Sequence, residues 1–146
     1  MRKIISIVLA LIIAVLSVPL SAFAAEDKIM IAESVIVISS DASQTDNYAA
    51  EKLKYYLDKI TSGNIEIKTD ESETDGYEIC VGESNRTDND FSSFSDGSYI
   101  IKSDAEKIVI SGAGNKGTIN GVYAFLEKFC GCHWYESEVI IILSLN

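Results

Sequence analysis

The sequence predicts an α/β (α+β) sandwich, a mixed sheet of about 4–6 strands with two helices packed on it, in the order β-α-β-β-β-β-α. Three observations lead there. Short apolar runs bounded by glycine or polar clusters recur along the chain, as buried strands do. Ala49, Leu53, Leu57 and Ile60 recur at helical spacing. A second helical run from about Thr118 places Val122, Phe125 or Leu126, and Phe129 on one inward stripe.

The elements follow in order. Ile29 to Ser39 holds two apolar runs, Ile29–Ala32 and Val35–Ile38, suited to a first buried strand. The first helix comes next, capped by Ser43 or Thr45, with Glu51, Lys52, Lys54, Asp58 and Lys59 facing water and Gly63 ending it in a left-handed conformation. Ile65-Glu66-Ile67 alternates as a half-buried strand, and Tyr77–Val81 is a further short strand stopping at Gly82. Glu83 to Gly97, rich in Ser, Asp and Asn, reads as a long loop; its Asn85-Arg86-Thr87 matches a glycosylation sequon, which matters only in a host that glycosylates exported proteins. Ser98–Ser103 and Lys107–Ser111 form a hairpin around Asp104-Ala105-Glu106, and the second helix ends at Gly131.

The ends divide the chain into 1–24, a signal peptide; 25–137, one α/β domain; and 138–146, an apolar tail. Arg2 and Lys3 give a positive start, Ile4 to Val18 is almost wholly apolar, Pro19 breaks it, and Ala22-Phe23-Ala24 offers small residues for cleavage. The alternative, a retained transmembrane anchor, has a stretch near the lower limit of about 17 residues. Cleavage is expected, so the product is secreted and has no membrane association afterwards. The remaining 122 of 146 residues carry 10 basic and 22 acidic side chains. That excess repels phosphate backbones, so no nucleic-acid partner is expected. The acids are spread along the chain, and a solvated acidic surface accounts for them.

The sharpest local motif is Gly112-x-Gly114-x-x-Gly117, which follows a strand and opens a helix as a dinucleotide-binding turn does. Its strand, however, belongs to a hairpin, and a nicotinamide cofactor is out of place outside the cell. A tight strand-to-helix loop needing glycine is the preferred reading, and no cofactor is expected. Cys80, Cys130 and Cys132, with His133, make one Cys₃His set, but the spacing is not that of a zinc knuckle and no metal is expected. A disulfide from Cys80 to Cys130 or Cys132 is a further option, and the odd count leaves at least one thiol free. His133 is the only histidine, no G-x-S-x-G elbow accompanies it, and Glu127, Glu136 and Glu138 are the acids nearest Trp134-Tyr135. No catalytic residue is assigned.

Tyr48–Gly63, Ile79-Cys80-Val81-Gly82, Ile108–Gly112 with Gly117, Gly121–Glu127 and Gly131-Cys132-His133-Trp134-Tyr135 together resemble the N-terminal domain of the alpha-glucuronidase glycoside hydrolase family, which is related to the beta-hexosaminidase N-terminal domain. The resemblance runs from about Val35 to Tyr135. It implies a non-catalytic accessory domain of a carbohydrate-degrading enzyme, whose partner is a (β/α)₈ catalytic barrel or a polysaccharide. The family's catalytic carboxylates belong to that barrel, so none is carried onto this chain. The alternative is a stand-alone extracellular module that binds carbohydrate or a partner. Trp134 and Tyr135 are the candidate sugar or domain-interface contacts, with burial of Trp134 in the helix–sheet core the preferred reading. Val139–Leu143 departs from the polar, proline-containing connector that the resemblance implies; it is an added strand or the mark of a truncated frame.

Overall fold

The computed structural model describes residues 31–136 and 139–142. The expected signal peptide and the end of the apolar tail lie outside the described residues. The elements are β1 (Val35–Ile38), α1 (Gln44–Thr61), β2 (Ile67–Thr69), β3 (Glu78–Val81), β4 (Tyr99–Ser103), β5 (Lys107–Gly112), α2 (Gly114–Cys130), β6 (Cys132–Glu136) and β7 (Val139–Ile142). They build a five-stranded mixed sheet with two helices, the α+β sandwich that the sequence predicts, and a separate two-stranded sheet.

Strand order in the main sheet is β2-β1-β3-β5-β4. β1 pairs in parallel with both β2 and β3, and β3 pairs in parallel with β5, while β4 closes the edge antiparallel to β5. The hairpin strand β5 is therefore also part of a parallel set, which its sequence neighbourhood does not suggest.

Alternation along the strands sorts the apolar residues to two faces. Ile36, Ile38, Ile79, Val81, Ile108 and Ile110 share one core with Leu53, Leu57, Val122 and Leu126 of the helices. Val37, Cys80 and Val109 form a smaller cluster on the other face. The long loop after β3 lies across that second face. Lys102 Nζ donates to Asn89 Oδ1 at 2.9 Å, Lys107 Nζ donates to the Arg86 carbonyl at 2.8 Å, and the Arg86 guanidinium donates to Glu78 on β3.

Ser43 caps α1, its Oγ accepting the Asp46 N–H at 3.1 Å and donating to Asp46 Oδ2 at 2.7 Å. The other end of that helix differs from expectation. Ser62, not Gly63, takes the left-handed conformation with φ 55°, and the Gly63 N–H is satisfied by Thr61 Oγ1 at 3.2 Å. Residues 31–32 are helical, so the first strand starts only at Val35. Phe129 was expected on the inward stripe but is 57% exposed, while Phe125 and Leu126 are both buried. Its ring borders an open groove that it shares with Ile31, Tyr77, Phe125 and the sheet residues Ile101 and Ile108.

Candidate functional site

Gly131 ends α2 with φ 68°, its N–H donating to the Leu126 carbonyl, and turns the chain directly into β6. That turn buries Cys132 and brings Trp134, two residues on, against both helices. The indole packs edge-on to Tyr56 of α1 at 5.1 Å and to Tyr123 of α2 at 5.1 Å between ring centroids. Such edge-to-face pairs add about 0.5–1.5 kcal/mol each beyond the area they bury. Burial pushes the Tyr56 phenol up, with Tyr55 adding to it, and burial likewise raises Tyr123. Trp134 is thus a half-buried wedge joining the two helices, neither freely exposed nor sealed between helix and sheet. Its Nε1–H has no acceptor among the described residues. Tyr135 lies on β6 where the β6–β7 register shifts between Trp134 and Glu136.

The glycine motif has a packing explanation. α2 begins at Gly114, not Thr118, and its cap, Ala113, has no side chain to satisfy the first turn. A Cβ on Gly112 would lie 2.1 Å from the Gly117 carbonyl carbon, and one on Gly117 would lie 2.5 Å from both Gly112 C and Ser98 O. The end of β5, the entry to β4 and the first turn of α2 therefore meet backbone to backbone. Gly114 sits at φ 65°, with Asp96 Oδ1 only 1.8 Å from where its Cβ would be. A carboxylate occupies the helix start where a dinucleotide site would hold pyrophosphate, and like charges oppose each other there.

No family model matches the chain, and no curated protein matches it. Among solved structures it is similar to a GH138 enzyme targeting pectin rhamnogalacturonan II, at 15% identity with a TM-score of 0.49, over 75% of this chain. The chain spans 11% of that enzyme's length. At that similarity none of the enzyme's residues can be placed on this chain.

The cysteines do not assemble as a Cys₃His set or as a disulfide. All three are free and buried. Cys80 belongs to the loop-covered face of the sheet, whereas Cys130 and Cys132 belong to the helix-side core, so the sheet itself stands between them. Burial pushes the Cys80 thiol up to about 11, with Glu78 contributing, and the Cys130 thiol up to about 12. Among the described residues no group of three potential ligands converges on a metal position. His133 lies on β6 opposite Ile141. Glu127 is exposed on α2, and Glu138 lies outside the described residues.

Sequence reasoning passed over one concavity. A cleft of about 550 Å³ opens at the carboxyl ends of β1, β3 and β5, between the starts of the two helices. Phe91, Phe94, Asp46, Glu83 and Asp96 line it. The signal that could have found it is two phenylalanines three residues apart in a loop otherwise rich in Ser, Asp and Asn.

Proposed function

We propose that this chain is a secreted, non-catalytic accessory domain of a carbohydrate-degrading glycoside hydrolase of the alpha-glucuronidase type, which works beside a catalytic barrel. The observation that carries the reading is the backbone contact of Gly112 with Gly117. It turns the most site-like motif of the sequence into a packing device, as a scaffold domain requires. The segments that carry the resemblance support the reading by lying on regular elements: Tyr48–Gly63 on α1 and its exit, Ile79–Gly82 on β3 and its exit, Ile108–Gly112 on β5, Gly121–Glu127 on α2, and Gly131–Tyr135 on the turn into β6 and on β6 itself. Trp134 is the interface contact in this reading.

The test is a sugar-release assay with the purified chain on glucuronoxylan and chitin oligosaccharides. The reading expects no uronic acid or hexosamine above the level of a heat-denatured control. Saturable release that is proportional to protein concentration would overturn it.

A further inference from the structure

The cleft at the carboxyl edge of the sheet has a construction of its own. Its aromatic wall is Phe91 and Phe94, packed edge-to-face at 5.4 Å between centroids, and Phe94 is 44% exposed. Leaving that ring in water forfeits its burial, and nothing in a polar surface loop requires a pair of phenylalanines. The wall is held in place from behind. Phe94 N–H donates to the Phe91 carbonyl at 3.0 Å, Gly97 N–H to the Ala113 carbonyl at 3.0 Å, and Ala113 N–H to the Ser98 carbonyl at 2.8 Å. Asn120 Nδ2 of α2 adds a bond to the Gly97 carbonyl at 3.0 Å. The loop is thereby tied to the first turns of α2, and a ligand meeting it would find the wall already formed.

The polar lining is just as specific. Asp46 packs over Gly82, where a Cβ would come within 2.9 Å of its carboxyl carbon, and Asp96 packs over Gly114. Glu83 completes the set. Asp46 is engaged by Ser43, but Glu83 and Asp96 have no hydrogen-bond or ion-pair partner among the described residues. No lysine or arginine is among the described lining residues. Carboxylates in a cleft are acceptors only, and their field excludes anions while favouring ligands that donate several O–H or N–H groups. A volume of about 550 Å³ lies in the ordinary range for small-ligand pockets.

Apolar C–H on the ring face and several hydrogen donors around the rim are what a pyranose ring presents to such a lining. We propose that this cleft binds a pyranoside without negative charge, its C–H face on Phe94 and its hydroxyl or ammonium hydrogens on Glu83 and Asp96. The choice of a sugar rests on the carbohydrate reading above. The exclusion of anions rests on the cleft alone, and it turns away the uronate that an alpha-glucuronidase barrel would take.

The test is a ¹⁵N-HSQC titration of the full chain with cellotetraose, with the glucosamine tetramer and with tetragalacturonate. The first two are expected to shift amides at 43–46, 83, 91–96 and 112–118, and the third to shift none of them. Phe94→Ala and Asp96→Asn should each weaken the binding about tenfold, as loss of an interface hot spot does. The Phe94 ring is exposed and Asp96→Asn is isosteric, so an unchanged HSQC dispersion certifies both folds. Shifts centred on Trp134 instead would remove the cleft and leave the carbohydrate reading standing. Unaltered affinity in both variants, tighter binding of tetragalacturonate, or no binding of any tetramer at millimolar concentration would each overturn the proposal. None of these outcomes bears on docking to a barrel, which has its own test.

Discussion

Substituting Gly117 by alanine asks whether the glycine motif is there for packing or for a ligand. A Cβ at Gly117 would stand 2.5 Å from Gly112 C and from Ser98 O, and both are backbone atoms that no rotamer change can move. Restoring a separation of 3.0 Å means shifting the start of α2 by at least about 0.5 Å against the sheet. Overpacking of this kind costs ~1–3 kcal/mol, and backbone on both sides puts it at the upper end. Alanine returns ~1 kcal/mol through its better helix propensity. The net loss is about 2 kcal/mol, or roughly 5–15 °C in Tm for a domain of this size. Gly121→Ala is the internal control, because its Cβ would meet Ile110 Cγ2 at 3.0 Å and Tyr99 Cβ at 3.2 Å, an overlap that a shift of a few tenths of an ångström relieves. It should stay within about 1 kcal/mol of the parent. Urea denaturation followed by far-ultraviolet circular dichroism gives both values. Gly117→Ala as stable as the parent would refute the packing account and return the motif to a binding role.

Three further outcomes are expected. The carboxylate of Asp70 is held below the ordinary range by N–H donation from Asn85 at 2.9 Å and from Ser40 at 3.0 Å. Its contribution is therefore complete above the unfolded pKa of about 3.8 and lost as pH falls through the lower folded value; Asp70→Asn should flatten the acid limb of a Tm-against-pH curve, and an unchanged limb would contradict this. Cys80, Cys130 and Cys132, buried and with raised pKa, should react with a thiol-specific disulfide reagent only on unfolding; prompt labelling of any one at pH 8 would show that the native thiols are accessible. Trp134→Ala removes two aromatic contacts and should cost about 2–3 kcal/mol in a thermal melt, whereas Trp134→Phe should recover at least half; equal stability of the two would place the ring outside the helix junction.

Local rules account for what was legible. The stripe of Ala49, Leu53, Leu57 and Ile60 and the Ser43 cap define α1, because 3.6-residue periodicity and one side-chain hydrogen bond are properties of the segment itself. The β4–β5 hairpin was equally visible, since its pairing is between neighbours in sequence. What failed depended on distant partners. That β1 sits between β2 and β3, and that β5 joins the parallel set, is decided by which faces the helices cover. Ile31 reads as strand and lies in a helical turn, and Phe129 reads as inward yet is 57% exposed, because both sit at the margin of the helix–sheet core, on an open groove with Ile101 and Ile108. Cys80 and Cys130 looked like partners because a sequence does not show which side of a strand a residue takes. The seat of Trp134 was half legible: an interface or core role was foreseen, but its two tyrosine neighbours come from different helices 67 positions apart. Phe91 and Phe94 stay hidden in the sequence because the loop around them is polar on average.

Sedimentation velocity of the purified chain with a glucuronidase-type (β/α)₈ barrel, expressed without its own N-terminal domain, tests the accessory role most directly. The account predicts a one-to-one complex that Trp134→Phe, which keeps an aromatic ring but trims the half-buried indole, weakens without unfolding the chain. Two species that sediment independently at micromolar concentration, with the chain folded, would contradict it.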